Sequence, residues 1–157
     1  MKKLILFVAL SIITLPLAVS VLTEDRIASI ERQKAYQMEI KCMASTLYYE
    51  SNSEPIEGVR AVYEVVRNRA HKNKTSWCAE IKKKFQFSYL NSGKIKLDTP
   101  ITPREKELFD SVKALDNILE YDTMFYHAAY VKPAWSKKMV IDKRIGQHIF
   151  YKLKEKR

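Results

Sequence analysis

Glu50 closes the run Leu47-Tyr48-Tyr49-Glu50, where a helical pattern gives way to the polar cluster Ser51-Asn52-Ser53-Glu54-Pro55. A carboxyl crowded by aromatic and aliphatic side chains is desolvated, and desolvation disfavours its charged form. A glutamic acid that stays protonated near neutral pH can donate to a glycosidic oxygen, which is general-acid chemistry. Glycosidases ordinarily carry a second carboxylate, either as nucleophile or as the base that activates water. Glu54, Glu57, Asp98 and Asp142 are available for that role, and none has a local context that singles it out. Glu54 would share a helix face with Glu50 only if the helix ran on. Asn52, Ser53 and Pro55 oppose this and leave Glu54 as a charge at the start of the next helix. A mechanism with one glutamate is therefore open.

Recognition of sugars combines flat aromatic faces with amide and hydroxyl groups, and Gln86, Phe87, Ser88, Tyr126, Tyr130 and Trp135 supply both. Ordinary packing is the competing reading for Phe87 and Trp135. His127 and His148 each lie between apolar residues, where a satisfied core histidine is commoner than a catalytic one. No HExxH or CxxC spacing occurs among the three histidines and two cysteines, so neither metal nor cofactor is expected. Cys42 and Cys78 are the only cysteines, and in an oxidising compartment two cysteines of a small domain are more often bridged than buried as free thiols, so a disulfide is expected.

The elements that must position these groups are mostly helical. Residues 23–50 contain no Gly or Pro and predict one or two helices. Pro55 suits a first helical turn, and Val59, Val62, Val65 and Val66 carry a helical period to about Arg69, with residues 71–76 as a loop. Residues 77–84 predict a short helix that carries Cys78 inward. The alternation in residues 85–90, then Asn91-Ser92-Gly93, then residues 94–97 predicts a β-hairpin. Thr102-Pro103-Arg104-Glu105 is a capping box, and Leu108, Val112, Leu115 and Leu119 extend its helix to about Glu120. Residues 123–130 and 141–153 predict extended segments or short helices around Pro133 and Gly146. The chain is thus one α+β domain, mainly α with a small sheet, over residues 23–157.

The first 22 residues read differently. Lys2 and Lys3 precede an apolar run from Leu4 to Leu22, which turns polar at Thr23-Glu24-Asp25-Arg26, the layout of an export signal. Ala18-Val19-Ser20 offers a cleavage site, and the run is also long enough to anchor the chain in a membrane through residues 4–22. The flanking charges place the body outside the cytoplasm in either case. A net charge of +10 favours anionic surfaces, and export points to the cell envelope rather than nucleic acid. The chain is expected to act as a monomer.

In order and spacing, these pieces resemble the SleB-like cell-wall hydrolase family over residues 42–152. They are Cys42-Met43-Ala44, Tyr48-Tyr49-Glu50, Glu57-Gly58, Ala61-Val62, Val65-Val66-Arg67-Asn68-Arg69 and Trp77-Cys78. They continue with Gln86-Phe87-Ser88, Tyr126-His127-Ala128, Tyr130-Val131-Lys132-Pro133, Trp135 and residues 145–151. The resemblance implies a lysozyme-like fold, peptidoglycan as substrate and a lytic transglycosylase activity carried by Glu50, with Gln86, Tyr126 and His127 in the cleft. The family's Glu-Ala-Arg-Gly-Glu stretch is Glu50-Ser51-Asn52-Ser53-Glu54 here, without the arginine and glycine. A water-using muramidase and a non-catalytic wall-binding protein are the alternatives.

Overall fold

The computed structural model describes residues 2–84, 86–91, 93 and 95–154, with side chains from residue 23 onward. The expected cleavage or anchoring of residues 1–22 concerns side chains outside the described residues. Among the described residues, no helix is long and apolar enough to cross a membrane. The chain divides into two units, residues 1–37 and 38–157. The described residues of the first, 2–37, lie within helix α1 (Lys2–Ser51), and Ile27, Ile30 and Tyr36 there are exposed. The second holds the core and all the elements after α1.

Helix α2 (Ile56–Asn73) is the centre of that second unit, burying Val59, Val62, Val65 and Val66 against Met43 and Leu47 of α1. It runs one turn beyond the expected Arg69. Lys74 takes a left-handed conformation (φ 51°) and its N–H reaches back to the Ala70 and His71 carbonyls, so residues 71–73 stay helical. Helix α3 (Trp77–Ile81) starts at Ser76, whose hydroxyl accepts from the Ala79 N–H, and stops short of Lys84. A disulfide joins Cys42 on α1 to Cys78 on α3, with Cα atoms 5.3 Å apart.

The hairpin expected over residues 85–97 does not form among the described residues of that stretch. Its described residues contain the short helix α4 (Ser88–Asn91) and no strand, while Phe85, Ser92 and Lys94 lie outside the description. Phe87 and Tyr89 are each taken by a different neighbour. Phe87 sinks into the core, and Tyr89 stacks on Tyr49 while its hydroxyl meets Thr46 Oγ1 at 2.8 Å. Tyr89 is claimed by α1 through both its ring and its hydroxyl, which leaves it no use for a partner strand.

Helix α5 (Pro103–Val112) opens with the expected capping box but ends eight residues early. The reason is a buried ion pair on α2. Arg60 donates through Nη1 to the Val112 carbonyl at 2.6 Å and through Nη2 to Asn117 Oδ1 at 3.0 Å. Glu64, with Arg60 Nε at 2.7 Å, accepts the N–H groups of Ile118 and Leu119. Those backbone groups are captured by side chains, which compete with continued helix. At its other end α5 is tied to α1, because Lys41 Nζ and Ser45 Oγ both donate to the Glu105 carboxylate.

The sheet comes from the tail, where extended segments or short helices were expected. Strands β1 (Thr123–Ala128), β2 (Met139–Ile145) and β3 (His148–Leu153) form an antiparallel sheet in the order β1-β3-β2, with a 3-10 turn at Ala134–Lys138 before β2. Gly146, at φ +53°, makes the tight turn between β2 and β3. Asn68 of α2 donates to the Glu120 and Thr123 carbonyls and Arg69 Nε donates to the Met124 carbonyl, so α2 sets where β1 begins.

Candidate active site

Glu50 stands one residue from the end of α1, partly buried, facing the middle of β1. Its Oε2 accepts from the Tyr126 hydroxyl at 3.0 Å. Its Oε1 has no partner among the described residues and is not sealed from solvent. Burial pushes the carboxyl pKa above the usual glutamate range, against the opposing pull of the Tyr126 hydrogen bond and the positive charge of Arg69. The group thus favours its protonated form more than a free glutamate does, and one of its oxygens is open to a ligand.

Tyr126 is positioned by its strand. Its ring stacks on Phe150 at 5.6 Å and meets the edge of His148 at 5.2 Å, both on β3. Burial, and then the neighbouring Glu50, hold its phenol pKa well above the ordinary value, so it donates and does not ionise. Arg69 is fixed from several sides. Its Nη1 donates to Gln86 Oε1 at 2.8 Å, and its guanidinium lies 5.9 Å from the Phe87 ring and 6.0 Å from the Phe125 ring. Burial lowers its pKa, with Tyr126, Glu80 and Glu50 opposing, and places a desolvated cation close to the acid.

The expected site residues divide into two sets. Gln86, Phe87 and Tyr126 come together with Glu50 through Arg69. Ser88 is exposed with no side-chain partner among the described residues, and Tyr130 is 82% exposed. His127 lies on the other face of β1, because successive strand residues point to opposite sides. There its Nε2 meets the Tyr151 hydroxyl at 2.9 Å and its ring packs against Trp135 and Tyr151.

The candidate second carboxylates are engaged elsewhere or face solvent. Asp142 accepts from the Glu120 N–H and the Thr123 hydroxyl, and Glu57 and Asp98 are exposed. Glu54 is not a free charge at a helix start. Its Oε2 accepts the Gln147 N–H at 2.9 Å and its Oε1 lies 3.7 Å from His148 Nδ1.

Two features went unnoticed in the sequence. Arg69 sits three residues after Val66 and four after Val65, on the continuation of the buried face of α2, and a cation extending an apolar stripe was a readable signal. The stacked pair Tyr49 and Tyr89, beside Glu50 in sequence and space, had no such signal, since their meeting depends on the α4 turn. Tyr126, Gln86 and Arg69 also line a cavity of about 580 Å³, walled on its apolar side by Phe125 and Trp135.

The fold has counterparts in known proteins. The model of the cell wall hydrolase family matches residues 53–151, a stretch that begins just after Glu50. The catalytic domain of the germination-specific lytic transglycosylase SleB from Bacillus anthracis is 28% identical, with a TM-score of 0.61 over 74% of this chain and 95% of that one. The catalytic domain of the Bacillus cereus SleB protein is 29% identical, with a TM-score of 0.60 over 74% of this chain and 91% of that one. Among curated protein sequences, none matches. With the family model covering most of the chain and two solved catalytic domains sharing its architecture, the chain belongs to the cell wall hydrolase family and is a peptidoglycan-lytic enzyme.

Proposed function

We propose that this chain cuts glycan strands of peptidoglycan between N-acetylmuramic acid and N-acetylglucosamine, with Glu50 as its one catalytic carboxyl. The observation that carries the reading is the state of Glu50, an acid favoured in its protonated form by burial, held at one oxygen by Tyr126 and open at the other. The proton passes from Glu50 to the bridging oxygen, the bond from that oxygen to the muramic C1 breaks, and positive charge develops on C1 and the ring oxygen. Glu50 is now a carboxylate, steadied by the Tyr126 hydroxyl and the Arg69 charge. It takes the proton of the muramic C6 hydroxyl as that oxygen closes on C1, which yields an anhydro ring and restores the acid. No water enters, and no second carboxylate is needed.

In this reading Gln86 and Tyr126 bound the groove beside the cleaved bond, while Phe87 supports Arg69 from beneath. Ser88 and Tyr130, both exposed, meet the strand away from the bond, and His127 braces the Tyr151 side of the sheet. The enzyme is exported, acts outside the cytoplasm as a monomer, and needs no cofactor.

The test is to digest purified peptidoglycan with the enzyme and with Glu50→Gln, then weigh the released muropeptides. Anhydro products, each lighter by one water than the hydrolytic equivalent, are expected from the wild type. The variant should be slower by about 10²–10⁴-fold, the usual contribution of a positioned general acid. Hydrolytic products would assign the enzyme to the muramidase route, and undiminished activity of the variant would remove Glu50 from the mechanism.

A further inference from the structure

Tyr126, whose hydroxyl holds Glu50, also lines the 580 Å³ cavity together with Arg69 and its partner Gln86, so the cavity adjoins the place of a sugar held at Glu50. The volume is that of a real ligand site, within the roughly 300–1,000 Å³ typical of them. Its charge is what a bare glycan leaves unexplained. Arg69, Lys72 and Lys83 line the cavity against a single carboxylate, Glu80. Glu80 is already satisfied, since its Oε2 accepts from Lys83 Nζ at 2.5 Å and from Asn73 Nδ2 at 2.9 Å. Lys72 is exposed and has no partner among the described residues. Phe125 and Trp135, with ring centroids 6.0 Å apart, supply an apolar wall opposite these cations.

The sugars of a stem-bearing strand offer hydroxyl and acetamido groups but no charge for surplus cations to pair with, because each muramic lactyl carboxyl is tied up in the amide to its stem. The stem peptide of peptidoglycan offers small apolar side chains alternating with free carboxylates, and it hangs from the muramic sugar itself. Three to five extended residues reach about 10–17 Å, enough to pass a tyrosine ring. We propose that this cavity receives the acidic stem peptide of the muramic residue held at Glu50, with Lys72 pairing a stem carboxylate and Phe125 and Trp135 packing its methyl groups. The enzyme on this account prefers strands that carry their stems. The proposal rests on the glycan-strand reading given above.

The experiment compares two forms of one peptidoglycan, both stripped of phosphate polymers, with stems intact or removed by an amidase, which leaves the short lactyl carboxylate of each muramic sugar in the stem's place. The full chain, Lys72→Glu and the control Lys106→Glu, an exposed reversal on α5, are assayed on each by release of anhydro ends. The wild type should cut stem-bearing strands faster. Lys72→Glu should lower that preference about five- to tenfold, mostly through KM, in line with the reversal of one rim charge pair. Lys106→Glu should leave the preference alone, and added salt should narrow the wild-type gap. Equal wild-type rates on both substrates, or an equal loss on both for Lys72→Glu, would overturn the stem assignment while leaving Glu50 in place. Absence of anhydro ends from either substrate would instead remove the underlying glycan-strand reading, and this proposal with it.

Discussion

At the scale of single residues, the site is a balance around one carboxyl. Burial raises the pKa of Glu50, and two neighbours, Tyr126 by its hydrogen bond and Arg69 by its charge, pull it back. The balance suits the role proposed for Glu50, an acid that gives up its proton and later takes one back, since each form has something to favour it. The sign of each contribution can be tested separately. Tyr126→Phe removes a donor that favours the carboxylate, so the pKa of Glu50 should rise further. The alkaline limb of the kcat/KM profile should then move to higher pH, because activity that depends on protonated Glu50 is lost only as pH climbs through its pKa. The ring remains to stack on Phe150, so the fold should survive. The measurement is the pH dependence of the initial rate for both proteins. A limb that stays put, or moves to lower pH, means that the hydroxyl does not bias Glu50.

At the scale of elements, Glu54 and Gly146 show how a local rule can be right and its meaning missed. Gly146 was readable as a break, and it does turn the chain between β2 and β3. The use made of it was not readable, because Glu54 reaches that turn from 92 positions earlier and fills the space beside it. A Cβ at Gly146 would lie 1.8 Å from Glu54 Oε2 and 2.9 Å from Pro55 Cδ. Gly146→Ala therefore combines left-handed backbone strain, about 1–3 kcal/mol by itself, with displacement of a buried carboxylate. Gly93 is the natural control: it has φ +66° but nothing within 4 Å of an added Cβ. Thermal or denaturant melts should show Gly146→Ala losing clearly more stability than Gly93→Ala, and equal losses would mean that the Glu54 contact carries no weight. The same distinction explains the other differences between expectation and structure. Capping at Thr102 and the period of α2 are local and were legible. The end of α5 depends on Arg60 and Glu64 far back in the chain, and the missing hairpin depends on Tyr49 and Thr46 claiming Tyr89, so neither could be read from neighbouring residues.

At the scale of the whole molecule, the chain lets two short helices and a late sheet close over the end of α1, and long-range ties make that arrangement hold. The candidate site was legible as far as Glu50, Gln86 and Tyr126, which the fold brings to one region, because aromatic and amide residues stand out in sequence. Arg69, which joins them, carried the quieter signal of a cation continuing the apolar face of α2. Of the ties, the Lys41–Glu105 pair joins α1 to α5, and the Cys42–Cys78 disulfide joins α1 to α3 just ahead of the loop that carries Gln86 and Phe87. Closing a loop of 36 residues restricts the unfolded chain and should stabilise the fold by about 3–4 kcal/mol. Both cysteines are buried, and Cys78 has a second hold, its N–H donating to Glu39 Oε2 at 3.0 Å. A Cys42→Ala/Cys78→Ala variant should therefore still fold at room temperature and keep its lytic activity, while its melting midpoint falls by roughly 10–15 °C. Reduction of the wild type should move the midpoint in the same direction. A midpoint that hardly changes in the variant would mean that the α1–α3 junction is held by packing alone, and that the disulfide adds little to the support beneath the site.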